Sequence, residues 1–147
     1  TTEIYTLSLH DALPICHAVV DTLGLLLCVV VTAASLPERE GGKQVLETVS
    51  RMGQTVARLY LIWIDGGYRG PAFISWAMDS FRWVIQVVLR PKETKGFVLL
   101  KKRWVVERTF GWWNGYRRLS KDYERLPESS EAMIYIAMTR LMLRKLA

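Results

Sequence analysis

A fourteen-residue apolar run, residues 23–36 (LGLLLCVVVTAASL), constrains the fold of this chain more than any other feature. It is shorter than the roughly 20 residues that a helix needs to cross a bilayer, and Asp21 bars its extension upstream. Its β-branched residues favour a buried strand over a helix. A small membrane protein built on this run is therefore a weak hypothesis, and we expect a sheet.

Hydrophobic periodicity predicts the remaining elements. Strands are expected at residues 17–22, 25–32, 59–64 and 83–89. Helices are expected at residues 43–52, 71–80, 101–119 and 128–146, with loops at 37–42 and 90–96. The order is strand, strand, helix, strand, helix, strand, helix, helix, which indicates an α/β fold with a mixed sheet in one domain.

Charge is unevenly distributed along the chain, whose 147 residues carry a formal net charge of +6. Residues 1–15 hold two acids and no Lys or Arg, and residues 16–81 hold five basic and six acidic side chains. Residues 82–147 hold fifteen basic and six acidic side chains, a net +9. This asymmetry fits a polyanion bound on one side, and it fits a solvated helical surface equally well.

The cysteines and histidines do not indicate a metal centre. Cys16 and Cys28 form no C-x-x-C motif, and neither His10 nor His17 has a partner at the spacing of a zinc site. A disulfide framework is equally disfavoured. This usage fits the reducing cytoplasm.

Asp65 is the first candidate for chemistry, because it ends an apolar strand in the motif I-D-G-G-Y-R-G. Functional groups of open α/β sheets gather at the carboxyl ends of strands, and adjacent glycines allow a metal or a phosphate to approach the backbone. The alternative is an ordinary turn, because Asp-Gly is a common turn pair.

Glu107 is the second candidate, within the run R-W-V-V-E-R-T-F-G-W-W-N. At 100° per residue, Arg103, Glu107, Asn114 and Arg118 fall in a narrow arc beside the predicted core stripe, to which Trp113 belongs. One acid among cations could bind a metal while its neighbours hold phosphates. The alternative is a surface ion pair between Arg103 and Glu107 with little energetic value.

Residues 1–15 (TTEIYTLSLHDALPI) resemble the in-frame translation of a sequencing adapter oligonucleotide over their whole length. The alternative is a natural strand, because polar and apolar residues alternate within residues 4–9. We expect the segment to be non-native, and we assign residues 16–147 to a partial catalytic domain.

Three segments together resemble the insertion-sequence transposases with a DDE catalytic triad, in particular the insertion sequence five group. They are residues 19–35 (VVDTLGLLLCVVVTAAS), 64–70 (IDGGYRG) and 103–124 (RWVVERTFGWWNGYRRLSKDYE). The resemblance implies a ribonuclease-H-like fold and two Mg²⁺ ions that support DNA cleavage and strand transfer. It makes Asp65 the second acid of the triad and Glu107 its glutamate, both as catalytic residues and as metal ligands.

Two departures from the family pattern qualify this assignment. Around the glutamate, the family has a tyrosine, an arginine and a lysine, of which only Arg103 is matched; Leu100 and Asn114 stand at the other two positions. The first acid lies on a strand that the adapter-like string replaces, and neither Asp11 nor Asp21 matches its motif. We therefore expect this chain to be inactive.

The resemblance also predicts the partners. Double-stranded DNA, as transposon ends and target, would contact a set of basic and polar groups through phosphates. These groups are Lys101, Lys102, Arg103, Asn114, Arg117, Arg118 and Lys121. A homo-oligomer, no membrane partner and a location in the bacterial cytoplasm at the nucleoid are expected. A non-catalytic DNA-binding remnant and a related ribonuclease-H-like nuclease remain as alternatives.

Overall fold

The computed structural model describes residues 2–9, 15–89, 101–121 and 124–146. Its five strands are β1 (Thr2–Leu9), β2 (Ile15–Asp21), β3 (Leu26–Thr32), β4 (Leu59–Asp65) and β5 (Val84–Val88). Its α-helices are α1 (Glu38–Ser50), α2 (Pro71–Phe81), α3 (Lys101–Asn114) and α4 (Pro127–Leu146). Short 3-10 turns cover Gly53–Val56, Gly66–Tyr68 and Arg117–Leu119.

All five strands form one mixed sheet with the order β3-β2-β1-β4-β5. The pairs β1–β2 and β2–β3 are antiparallel, whereas β1–β4 and β4–β5 are parallel. β1 is therefore central, and residues 2–9 occupy the slot between the hairpin and the strand that ends at Asp65. The expected mixed α/β sheet is confirmed.

Helices cover both faces of the sheet and divide the core in two. Two valines and one leucine of α1, with Phe73 and Ala77 of α2, pack on one face against Val19, Ile62 and Ile64. On the other face, α3 and α4 contribute Val106, Phe110, Trp113, Ile134 and Met138, which pack on Ala18, Val20, Val29 and Val31. The expectation that Trp113 belongs to the core is confirmed, since it is buried.

The β2–β3 hairpin closes through a side chain of its own turn. Asp21 Oδ1 accepts hydrogen bonds from the backbone N–H groups of Leu23 (2.9 Å) and Leu25 (2.8 Å). Gly24 has a φ of 79°, a conformation that glycine adopts without steric cost. The Thr109 hydroxyl donates to Gly24 O over 2.7 Å, which ties α3 to the turn.

Two predicted boundaries were wrong. Residues 37–42 were expected to form a loop, but α1 begins at Glu38, because acids in its first turn suit the helix dipole and Gly41 and Gly42 are buried. The helix expected at 101–119 ends at Asn114; Gly115 follows, and Arg117–Leu119 is a separate 3-10 turn. The basic loop expected at 90–96 lies outside the described residues.

No helix in the described ranges has the length and apolarity that a bilayer span requires.

Candidate active site

Asp65 lies at the carboxyl end of β4, where the strand changes into the 3-10 turn Gly66–Tyr68. Its Oδ1 accepts a hydrogen bond of 2.7 Å from Gly66 N, so the carboxylate caps the turn that follows it. Its side chain is 22% exposed. The carboxylate is therefore held at the strand end, with part of its surface open to an incoming ligand.

Glu107 and Asp65 meet the same cation. Arg103 Nε is 3.7 Å from Asp65 Oδ1 and 3.7 Å from Glu107 Oε1. Arg103 and Glu107 are one turn apart on α3, so the helix presents both to the end of β4. The structure thus brings the two predicted acids to one site, although 41 residues separate them in the sequence (107 − 65 − 1).

The guanidinium of Arg103 is held by charge and not by hydrogen bonds at its Nε atom. Within the described part of the chain, this buried atom has no hydrogen-bond partner, because 3.7 Å is too long for one. A cation placed between two carboxylates offsets their mutual repulsion, as a metal ion would. The sequence suggested only the Arg103–Glu107 pair and not this bridging position.

A buried polar network fixes the turn behind Asp65. The Tyr68 hydroxyl lies 2.7 Å from His17 Nδ1, and His17 Nε2 lies 3.0 Å from Thr32 Oγ1. All three residues are buried. The network joins the turn to β2 and β3, so the backbone that carries Asp65 is anchored to the sheet.

Glycines in α1 make room for this network. A Cβ on Gly41 would collide with the His17 ring, and a Cβ on Gly42 would collide with the Tyr68 ring. In the same way, Gly67 lies against the Glu38 carboxylate. Sequence reasoning missed the network; the adjacent glycines within an otherwise amphipathic segment were the available signal.

The predicted DNA contacts spread along α3 and the segment after it. Lys102 Nζ lies over the Trp63 ring, Asn114 is exposed at the end of α3, and Lys121 is exposed. Arg117 is exposed, whereas Arg118 pairs with Glu124 through Nη2 at 2.7 Å. Lys101 begins α3, but its side chain lies outside the description.

Aromatic residues accompany these cations. Two cations lie near the Trp112 ring: Arg108 Cζ is 5.1 Å from the ring centroid, and Lys145 Nζ of α4 is 4.3 Å from it. Trp104 is 46% exposed on α3, one residue from Arg103. Two cations therefore lie close to the Trp112 ring, while Trp104 leaves a large part of its surface in solvent.

The strand beside Asp65 supplies no third acid at the site. β1 pairs with β4 up to Thr6 and Ile64, so the next position, Leu7, stands level with Asp65. Glu3 pairs with Leu61, four residues before Asp65, or about 13 Å along a strand. The described residues contain no group of three His, Cys, Asp or Glu side chains that could hold a metal ion. Asp65 and Glu107 alone do not fit a two-ion site.

Two solved structures are similar to this chain. The catalytic core domain of BIV integrase has a TM-score of 0.53 and 18% identity, covering 92% of this chain and 80% of that one. The catalytic core domain of HTLV-2 integrase, solved with magnesium in a dimeric form, has a TM-score of 0.48 and 21% identity over 92% and 82%. The first of these likenesses shows the ribonuclease-H-like fold.

No curated protein matches the chain. The model of the family described as "Transposase DDE domain" matches residues 15–142. Because that match spans most of the sequence, the chain belongs to the transposase DDE domain family.

Proposed function

We propose that the chain is part of the catalytic domain of an insertion-sequence transposase of the insertion sequence five group. Such an enzyme cleaves phosphodiester bonds at transposon ends and joins them to target DNA. The observation that carries the proposal is the meeting of Asp65 and Glu107 at Arg103, 3.7 Å from each. Family membership and the position of Asp65 at the end of a central strand support it.

The intact enzyme would use two Mg²⁺ ions, which prefer hard oxygen ligands such as carboxylates. Asp65 and Glu107 would be two of the three carboxylate ligands. In this chain they already share the charge of Arg103, and the described residues offer no third acid beside them. We therefore propose that the chain, as written, does not cleave or join DNA.

Residues 1–15 are proposed to be a translated adapter that replaces the natural first strand. The family match begins at Ile15, so residues 1–14 lie outside it, which supports a boundary within one residue of the proposed one. Ile15 itself is the first residue of β2 and pairs with Thr32. Residues 4–9 alternate well enough to serve as a strand, yet they carry no carboxylate to the position level with Asp65.

Mg²⁺-dependent cleavage of transposon-end DNA tests the proposal with two proteins. The first is the 147-residue chain, and the second has residues 1–15 replaced by the natural first strand and its upstream domain. We expect cleavage only by the second protein, with its loss on Asp65→Ala or Glu107→Ala. Cleavage by the first protein that Asp65→Ala abolishes would overturn the assignment of a missing acid.

A non-catalytic DNA-binding role is the second candidate for this chain. It is favoured by the exposed basic groups of the segment after α3, among them Arg117 and Lys121, together with the incomplete acid set. Salt-sensitive DNA binding without cleavage, persisting in Asp65→Ala, would distinguish this role. If the chain is part of a related nuclease, the protein with its natural first strand restored would cleave DNA but would not join DNA ends. In either case the proposed partner is double-stranded DNA, the proposed location is the bacterial nucleoid, and a homo-oligomer is proposed.

A further inference from the structure

β3 is an edge strand among the described strands of the sheet, because it pairs with β2 on one side and with none of the others. Its sequence, LLCVVVT, contains neither a charged residue nor a proline. Edge strands expose a row of backbone donors and acceptors that can pair with another chain, and proteins usually protect them with charges, prolines or bulges. The residues of β3 themselves offer neither charge nor proline.

Helix α4 supplies two acceptors to this edge instead. The Val29 N–H donates to Tyr135 Oη over 3.1 Å, and the Val31 N–H donates to Glu131 Oε1 over 2.8 Å. We call Glu131 and Tyr135 the edge pair. They accept hydrogen bonds from two backbone N–H groups that could otherwise pair with a neighbouring strand.

Helix and strand geometry explain why this pairing is possible. Residues four apart on a helix are separated by about 6.0 Å along its axis. The outward N–H groups of a strand recur every second residue, or about every 6.7 Å. Ile134 and Met138 pack in the same core cluster as Val29 and Val31, so the backbone of α4 is held beside β3.

We propose that the edge pair covers a strand-addition surface, and that the partner of this surface, once it is uncovered, is β3 of a second copy of the chain. An isologous antiparallel contact between two copies would set valines opposite valines. Because β3 has no charge, this self-pairing meets no like-charge repulsion. The proposal does not depend on catalysis.

The test removes the acceptors and keeps the packing. Tyr135→Phe deletes only the hydroxyl, and Glu131→Met keeps a side chain of similar length. Glu128→Met, an exposed glutamate on the same helix, and Tyr60→Phe, which is 57% exposed on β4, are the matched controls. Circular dichroism confirms folding, and Tyr135→Phe alone serves as the test variant if the double variant does not fold.

Two readouts are measured for each variant. At low protein concentration, amide exchange at Val29 and Val31 should accelerate at least about tenfold in the double variant and remain unchanged in the controls. In sedimentation velocity, the double variant should self-associate at a concentration at least about tenfold lower than the unmodified chain. As it associates, both amides should regain protection.

Three outcomes would overturn the proposal. One is unchanged exchange at Val29 and Val31 in a folded variant, because the edge pair would then not hold those groups. Another is faster exchange with no change in self-association, because β3 of a second copy would then not be the partner. The third is association that leaves both amides unprotected, because the contact would lie elsewhere.

Discussion

The hydroxyl of Tyr68 lies 2.7 Å from Nδ1 of His17, and 51 residues separate them in the sequence. This hydrogen bond joins the turn that follows Asp65 to the second strand. Both side chains are inaccessible to water, so neither can exchange its protein partner for solvent. The anchoring of the candidate active site therefore depends on residues that would never contact DNA.

Tyr68→Phe is expected to lower the free energy of unfolding by about 1–3 kcal/mol, because it removes a hydroxyl that meets a buried imidazole nitrogen. Urea denaturation measures the change. Tyr60→Phe is the matched control, since Tyr60 is exposed. An equal effect of both substitutions would contradict the importance of the network.

Gly41→Ala is expected to destabilise the fold by about 1–3 kcal/mol, because the added methyl group collides with the His17 ring. Gly111→Ala on α3 is the control, since a Cβ there meets nothing within 4 Å. That substitution should stabilise by roughly 0.5–1 kcal/mol through helix propensity. Thermal unfolding of both variants decides the question; stabilisation by Gly41→Ala would show that α1 does not lie as described.

DNA affinity is expected to fall steeply as salt rises, because phosphate contacts release counterions. Arg117→Ala and Lys121→Ala should each reduce the slope of log affinity against log salt by about 1. Lys43→Ala is the control, because Lys43 pairs with Glu40 on α1, across the sheet. Fluorescence anisotropy with duplex DNA measures the slopes. If Arg117→Ala and Lys121→Ala leave the slope as unchanged as Lys43→Ala does, the assigned DNA contacts are wrong.

Leu7→Asp is expected to create divalent-ion binding that the unmodified chain lacks, because the new carboxylate stands level with Asp65. Mn²⁺ should then broaden the amide signals of Gly66 and of residues around Glu107 in nuclear magnetic resonance spectra. Leu7→Asn has the same shape without the charge and should show no such broadening. Equal broadening in both variants would mean that residue 7 contributes no ligand.

Cys28 is expected to resist alkylation. Burial raises the pKa of its thiol from 9.0 to about 11, so at pH 8.5 its thiolate is roughly a hundredfold scarcer than that of an ordinary thiol. Because the folded state holds the proton more tightly, this contribution to stability is complete below pH 9 and is lost as the pH rises towards 11. Peptide mapping after iodoacetamide treatment measures the rate, and modification of Cys28 in the folded protein at the rate of a free thiol would contradict the prediction.

The local hydrophobic pattern predicted those strands and helices whose packing follows from their own sequence. The apolar run at 59–64 matches β4, which runs from Leu59 to Asp65, because a buried central strand is almost wholly apolar. The start of α1 was missed because Gly41 and Gly42 favour a loop locally, whereas the close approach of α1 to His17 and Tyr68 requires them. That requirement is tertiary, and no local rule contains it.

The candidate site was predictable in part. Asp65 and Glu107 were identified from the strand end and from the family resemblance, and the structure places both against one arginine. The position of Arg103 between them could not be predicted, because helical spacing relates it to Glu107 alone. Only the sheet order brings the end of β4 to the same helix.

The edge pair implies a limit on how many backbone N–H groups of an edge strand the side chains of one helix can bind. Helix residues four apart repeat about every 6.0 Å, whereas the outward N–H groups of a strand repeat about every 6.7 Å. The offset between acceptor and donor therefore grows by about 0.7 Å with each successive pair. Hydrogen-bond lengths tolerate roughly 0.5 Å, so two neighbouring donors can be in register with the helix and a third falls out of phase. A longer edge would need acceptors from a further element; α4 supplies acceptors to two donors of β3, the N–H groups of Val29 and Val31.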